Sequence, residues 1–281
     1  MRQIHIEEIK NGDILAEDVV YTDGDVLIKK DTALKEIYIK LLRQLDVSQV
    51  CIADKEAAQN SYLQKAFIYK NQLKHLLEQI MYNNRNQFEK VQSIAESIWQ
   101  NFKDEKRVNA LLDQDATLYD HAVAVAVLSM KVGQSLKLNT EEIKELICAS
   151  LLHNIGLRYV TVPYKEIDIE TLLPNEVFEF KKHTILAYSA LETEEWISQE
   201  VKTMILSHHE RLDGSGYPLK QKQQSLGCRI IQATSYLASA VMGFEMKSRD
   251  IKTVTEEMWH KSGTWFDVEA VTKLLHVINA E

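Results

Sequence analysis

Helix-breaking residues are scarce in this chain. Nine glycines and three prolines are spread over 281 residues, so long stretches contain nothing that stops a helix. Within residues 55–105, apolar side chains recur at three and four. Leu63, Ala66, Phe67, Leu73, Leu77, Ile80 and Met81 form one such series, and Phe88, Val91, Ile94, Ala95, Ile98 and Trp99 form another. This is the period of an amphipathic helix. It predicts a mainly α protein with short connections.

Residues 1–54 break that pattern. Short β-branched runs at Asp13-Ile14-Leu15, Asp18-Val19-Val20-Tyr21 and Asp25-Val26-Leu27-Ile28 are separated by Asn11-Gly12 and Asp23-Gly24, which are hairpin signals. A helix is predicted over Thr32 to Leu45, with Leu34, Ile37, Leu41, Leu42 and Leu45 apolar, and a closing strand over Val47 to Ile52. The reading is a small α+β module for docking or packing. Residues 55–105 form a helical connector. It packs on its own domain or, alternatively, makes a homodimer seam over residues 63–99.

From residue 106 onward the chain reads as a run of helices. His121 to Leu136 and the helix N-capped by Asn139 come first, and the latter delivers His153-Asn154 at its end, where Gly156 breaks it. Glu176 to Leu191 carries His183. The helix with Val201, Met204 and Ile205 ends in His208-His209. Arg229 to Val241 and a helical tail around Gly263 follow.

Composition narrows the function classes. A net charge of −8 and a pI near 5.7 disfavour a general nucleic-acid binder, though not a local basic pocket for a small anion. The longest apolar run, Ala122 to Leu128, is too short to span a bilayer, and the start MRQIHIEEIK has no signal-peptide core. No membrane association and a cytoplasmic location are expected. Cys51, Cys148 and Cys228 form no C-x-x-C pair and are expected to be reduced and structural.

Five of the nine histidines, His121, His153, His183, His208 and His209, fall at helix ends or on helix faces of the C-terminal region. Singly, each suits a surface or core position. Together they have the layout of a metal site gathered from several helices. His208-His209 leads into a rigid turn: Arg211, Asp213, Gly214, Gly216, Tyr217 and Pro218 of SHHERLDGSGYP.

His121, LLHNIG at 151–156, KKH at 181–183 and HHERLDGSGYP at 208–218 resemble the HD-GYP branch of the HD phosphohydrolase superfamily. The resemblance covers roughly residues 106–281, and its HHExxDGxGYP signature is complete. CRII at 228–231 and GTWFD at 263–267 follow the same pattern, and residues 1–54 resemble the small module that often precedes such domains. The resemblance implies an all-helical HD-GYP-like bundle. It also implies hydrolysis of cyclic di-GMP or related cyclic dinucleotides at a two- or three-metal site of iron or manganese.

The departures from that pattern set the functional expectation. The bridging Asp of the family is Asn154 here, and its late Asp ligand aligns with Ser235. A second acidic position is Ala238, the usual Lys is Leu157, and the Glu four residues before the first histidine is Thr117. The arginine-rich stretch is not recognisable in Phe244 to Asp250. With both ligand carboxylates replaced, neutral imidazoles remain, which suit a single borderline ion.

The sequence therefore predicts a degenerate member, catalytically inactive or very weak, acting as a binding or interaction module. The cofactor expected is none or one divalent transition ion (Fe, Mn, Zn or Ni), with no dinuclear site. The partners expected are cyclic di-GMP or a related nucleotide and a protein met through the N-terminal module or the HD-GYP surface. Lys181, Lys182, Arg211 and Lys220 are phosphate candidates. The alternative is an active metal-dependent cyclic di-GMP phosphodiesterase with a reduced metal site.

Overall fold

A computed structural model of the chain describes residues 2–20, 26–30, 32, 34–45, 47–52, 61–83, 88–105, 108–114 and 117–279. Two compact units divide at residues 64 and 65.

In the first unit, β1 (Arg2–His5) pairs antiparallel with β4 (Gln49–Ile52), so that Arg2 faces Ile52 and His5 faces Gln49. A second antiparallel pair joins β2 (Val19–Val20) and β3 (Val26–Ile28). The Asp23-Gly24 hairpin signal lies outside the described residues. The predicted helix is shorter than expected: α1 spans Glu36–Gln44. It buries Ile39 and Leu42 together with Leu34, Leu15 and Ile52. Ile37 and Leu41, expected in the core, are 71% and 40% exposed. The helix begins at residue 36, so the positions three apart that meet the strands are 39 and 42, and residue 37 points away from them.

The second unit is helical. It takes in α2 (Ser61–Asn83) from Lys65 onward, then α3 (Lys90–Phe102), α4 (Leu118–Ser135), α5 (Thr140–Leu152), α6 (Pro174–Lys181), α7 (His183–Leu191), α8 (Gln199–Ser207), α9 (Leu226–Met242), α10 (Ile251–His260) and α11 (Val268–Ile278), with a short 3-10 turn at Ile155–Tyr159. The run Ala122 to Leu128 explains α4: apolar all round, it is buried all round and packs against α5, α9 and α11. The region expected as one helix from Glu176 to Leu191 is two, broken at Lys182. That break sets His183 at the first position of α7. No helix among the described residues is long and apolar enough to cross a membrane.

Helix starts carry side-chain caps, of which Asn139 is the one read from the sequence. Asn139 and Glu142 form a full capping box on α5, and Ser198, Ser225, Asp250 and Asp267 accept from first-turn N–H groups of α8, α9, α10 and α11. Thr117 likewise accepts from Asp120 N–H at the start of α4. Asp120 is nearly buried, and Lys70 of α2 pairs with it at 2.8 Å, so this acid is turned away from the histidines.

Candidate metal centre

His153 and His208 are the C-cap residues of α5 and α8, and His183 opens α7. All three are fully buried. Each ring makes the same local contact. His153 Nδ1 meets Ser150 O at 2.7 Å, His183 Nδ1 meets Phe180 O at 2.8 Å, and His208 Nδ1 meets Ile205 O at 2.7 Å. A carbonyl oxygen only accepts, so each Nδ1 carries the proton and each Nε2 presents a lone pair. This is how metal-ligating imidazoles are oriented in general.

The three lone pairs meet different fates. At His153, Ser235 Oγ stands 3.3 Å from Nε2 and supplies a hydroxyl proton. His183 Nε2 and His208 Nε2 face each other at 3.3 Å, two acceptors with no hydrogen between them. Glu245, which lies in the loop after α9, brings a carboxylate to the same place. Its Oε1 is 3.5 Å from His183 Nε2 and its Oε2 is 3.5 Å from His209 Nε2. Among the described residues, His183, His208, His209 and Glu245 form a group whose ligand atoms all lie within 4.8 Å of one another. Ligands held ~2.1 Å from a tetrahedral ion sit ~3.4 Å apart, which is the spacing of the closest pairs here. The donor set fits one borderline divalent ion.

Glu245 corrects the expectation that only neutral imidazoles remain. No family motif or helical period marks it. It lies in the stretch Phe244 to Asp250, where the arginine-rich segment of the family is not recognisable, and the return of the chain after α9 carries it to the histidines.

His121 stands apart. Its Nε2 is 2.9 Å from Ser239 Oγ, whose hydroxyl donates to Glu245 Oε2 at 3.3 Å, so His121 is the donor in that contact. Its ring stacks on Phe244 with centroids 4.3 Å apart. Asn154 is buried, and neither its amide nitrogen nor its amide oxygen has a hydrogen-bond partner. Leu157 is buried in an apolar cluster with Leu118, Ile167, Phe180 and Phe244. Among the described residues, hydroxyls and an amide stand around His121 and His153, and the carboxylate that acts on both rings is Glu245.

The turn after His209 is built to hold its shape. Glu210 is fully buried and its carboxylate accepts from Leu219 and Gln221 N–H, at 2.5 and 2.9 Å. Asp213 accepts from Ser215 N–H at 2.8 Å beside Gly214, and Tyr217 N–H returns to His209 O at 3.1 Å across Gly216. A cis Tyr217-Pro218 bond follows. Tyr217 then stacks on His209 with centroids 4.6 Å apart. The GTWFD segment anchors the turn: Leu212 N–H donates to Trp265 O at 3.1 Å, and Arg211 lies over the Trp265 ring. Beside His208 and His209 opens a pocket of about 220 Å³, lined among others by Lys181, Arg211, Ser215, Tyr217 and Tyr236. Of the four cations picked from the sequence, Lys181 and Arg211 line it. Lys182 instead pairs with Glu179, and Lys220 is exposed.

Burial pushes His121 down to about 3 and His153 and His183 down to about 4, and holds His208 well below its ordinary value. Burial opposes the charge of Glu245, but His209, His183 and His121 outweigh it and hold the carboxyl below the usual carboxylate range. Neutral imidazoles beside an ionised carboxylate are the protonation states a cation needs. The pH dependence of metal-free protein follows. Unfolded histidines take protons near 6.5, whereas these take them only near 3 to 4 when folded. Below 6.5 the unfolded state binds more protons, so stability is lost as pH falls toward the folded values. Glu245 acts in the same direction below its ordinary 4.5. The urea midpoint measured with chelator is expected to drop steeply from pH 6.5 to 4.5. A flat midpoint over that range would show that the imidazoles are not buried and neutral.

The model of an HD domain matches residues 105–270. The chain belongs to the HD-domain family. Its complete HHERLDGSGYP turn places it in the HD-GYP branch. Three curated relatives carry the name cyclic di-GMP phosphodiesterase. PdeB of Borreliella burgdorferi is 32% identical over 43% of this chain and 32% of its own length. The Thermotoga maritima protein is 26% identical over 58% and 45%, and PA4108 of Pseudomonas aeruginosa is 34% identical over 43% and 31%. The chain thus spans less than half the length of these relatives. A solved structure, Bd1817, described as an HDG"Y"P protein from Bdellovibrio bacteriovorus, shares the fold: TM-score 0.69, 15% identity and 99% of each chain covered.

Proposed function

We propose that this HD-GYP chain holds one divalent transition ion and binds cyclic di-GMP or a related cyclic dinucleotide beside it, with hydrolysis very weak or absent. The observation that carries the reading is the division of the five histidines. One pair of opposed Nε2 lone pairs shares its space with Glu245, whereas His153 is already satisfied by the Ser235 hydroxyl.

Charge explains why the division favours one ion. Two divalent cations ~4 Å apart repel by ~17 kcal/mol at an effective dielectric of ~20. Asn154 and Ser235 bring no charge to offset that. The imidazoles of His183, His208 and His209 would hold the single ion, which when bound supplies Lewis-acid polarisation of a phosphoryl oxygen. Lys181 and Arg211 place positive charge along the adjoining pocket, and Tyr217, pinned over His209, offers an aromatic edge to a nucleobase. The buried Glu210 keeps the turn in place while a ligand enters.

Protein purified without oxygen is expected to contain one Fe, Mn, Zn or Ni per chain by elemental analysis, and the His208→Ala variant none. Two ions per wild-type chain would overturn the single-ion reading. Titration calorimetry that shows no heat with cyclic di-GMP at high micromolar concentration would remove the ligand. The complete turn and the presence of Glu245 favour one alternative, an active phosphodiesterase with a reduced metal site. Turnover of cyclic di-GMP at ~1 per second or faster would establish that alternative instead.

A further inference from the structure

We infer that Glu245 is the anionic ligand of the ion, a carboxylate relocated to the loop after α9 and held there by a strap at residues 164–166. The inference rests on the single-ion reading above and adds to it the residue that supplies the charge.

The backbone is the first support. Glu245 has φ +62, a left-handed conformation that is rare and unfavourable for a residue with a side chain. It persists because the strap fixes it. Glu245 N–H donates to Tyr164 O at 2.6 Å, Glu166 N–H donates to Gly243 O at 2.9 Å, and Ser248 N–H donates to the Glu166 carboxylate at 3.0 Å. On the other side, Phe244 is fully buried against His121. The strain aims one carboxylate inward.

The second support is what that carboxylate meets. It is 2% exposed, and no lysine or arginine among the described residues pairs with it. Its Oε1 has no hydrogen-bond partner. It faces His183 Nε2, which in turn faces His208 Nε2, and each ring donates its single N–H, at Nδ1, to a backbone carbonyl. Three acceptor atoms converge with no hydrogen among them. Burying an ionised carboxylate against lone pairs is strongly unfavourable unless a cation completes the group. Three imidazoles and one carboxylate suit Zn, Fe(II), Mn or Ni and leave the ion with a net charge of about +1. That residual charge favours an anionic ligand at the open position.

Cobalt(II) titration of the full chain tests this, read by calorimetry and by the visible ligand-field bands. Wild type is expected to bind one Co(II). Glu245→Gln keeps the shape and removes the charge, and is expected to bind it ~100-fold more weakly or worse, with altered bands and an unchanged far-UV spectrum. Should Glu245→Gln not fold, Glu245→Asp is expected to bind with reduced affinity and shifted bands. Loosening the strap by Glu166→Ala is expected to weaken binding less than Glu245→Gln does, in keeping with a positioning role. If wild type binds Co(II), His208→Ala does not, and the Glu245 variants match wild type in affinity and bands, Glu245 is not a ligand and the single-ion reading survives. If wild type binds no Co(II), both fail.

Discussion

Aspartate at positions 154 and 235 together is expected to raise the ion content from one to two per chain. Ser235 Oγ lies 3.3 Å from His153 Nε2, so the residue that now satisfies this lone pair with a proton would offer a carboxylate beside it instead. Asn154 adjoins His153 in sequence and is buried with both amide atoms unpartnered, so the new carboxylate at 154 would break no existing hydrogen bond. The magnitudes favour the gain. Repulsion between two divalent ions is ~17 kcal/mol at ~4 Å, and each carboxylate ~3 Å from a divalent ion returns ~11 kcal/mol at the same effective dielectric of ~20. Two carboxylates suffice where one does not. Without metal the variant carries two more buried charges, so it is expected to melt below wild type and to recover on adding Mn(II). Elemental analysis and thermal melts with and without Mn(II) check both halves. One ion per chain in the double variant would mean that the surroundings of His121 and His153 no longer accept a metal.

Alanine at Gly156 is expected to destabilise the second unit by at least about 3 kcal/mol and to weaken the ion site with it. A Cβ at this position would overlap the His183 carbonyl oxygen and lie 2.8 Å from Ala187 N. Both are backbone atoms of α7, so no side-chain rotation relieves the clash. The helix must retreat and take His183 with it. Gly133 is the control. There the nearest atom is Leu146 Cδ1 at 3.0 Å, the end of a side chain, so Gly133→Ala is expected to be much milder. Urea unfolding of both variants, with Co(II) affinity measured on each, separates the cases. Equal losses at the two positions would show that close approach to α7 is not what Gly156 provides.

The legibility of this protein varies with the range of the interactions. Asn139 announces α5 because a cap acts on N–H groups two or three residues away. The apolar run of α4 announces a central helix because burial on every side needs apolar residues on every side. Local signals mislead where the partner is distant. Ile37 and Leu41 belong to a fair helical pattern, yet the strands of the first unit meet residues 39 and 42. The single helix expected from 176 to 191 breaks at Lys182 without any glycine or proline to mark it.

At the site, the five histidines and the HHERLDGSGYP turn are visible in the sequence because their spacing to helix ends is short and regular. Their sorting is not. That His153 is answered by Ser235, that His183 and His208 oppose each other bare, and that Glu245 joins them all depend on side chains from helices and loops 25 to 82 residues apart. That Asn154 and Ser235 stand where the family resemblance implies aspartates can be read from the chain. The carboxylate that stands near by comes from a strained loop position that no periodicity predicts. The sequence alone determined a helical HD-type bundle, its Asn139 cap and its histidines, since these follow from local hydrogen bonding and hydrophobic period. Only the tertiary structure decided which lone pairs are left facing one another and which buried charge faces them, because those are set by where distant backbone segments are strapped together.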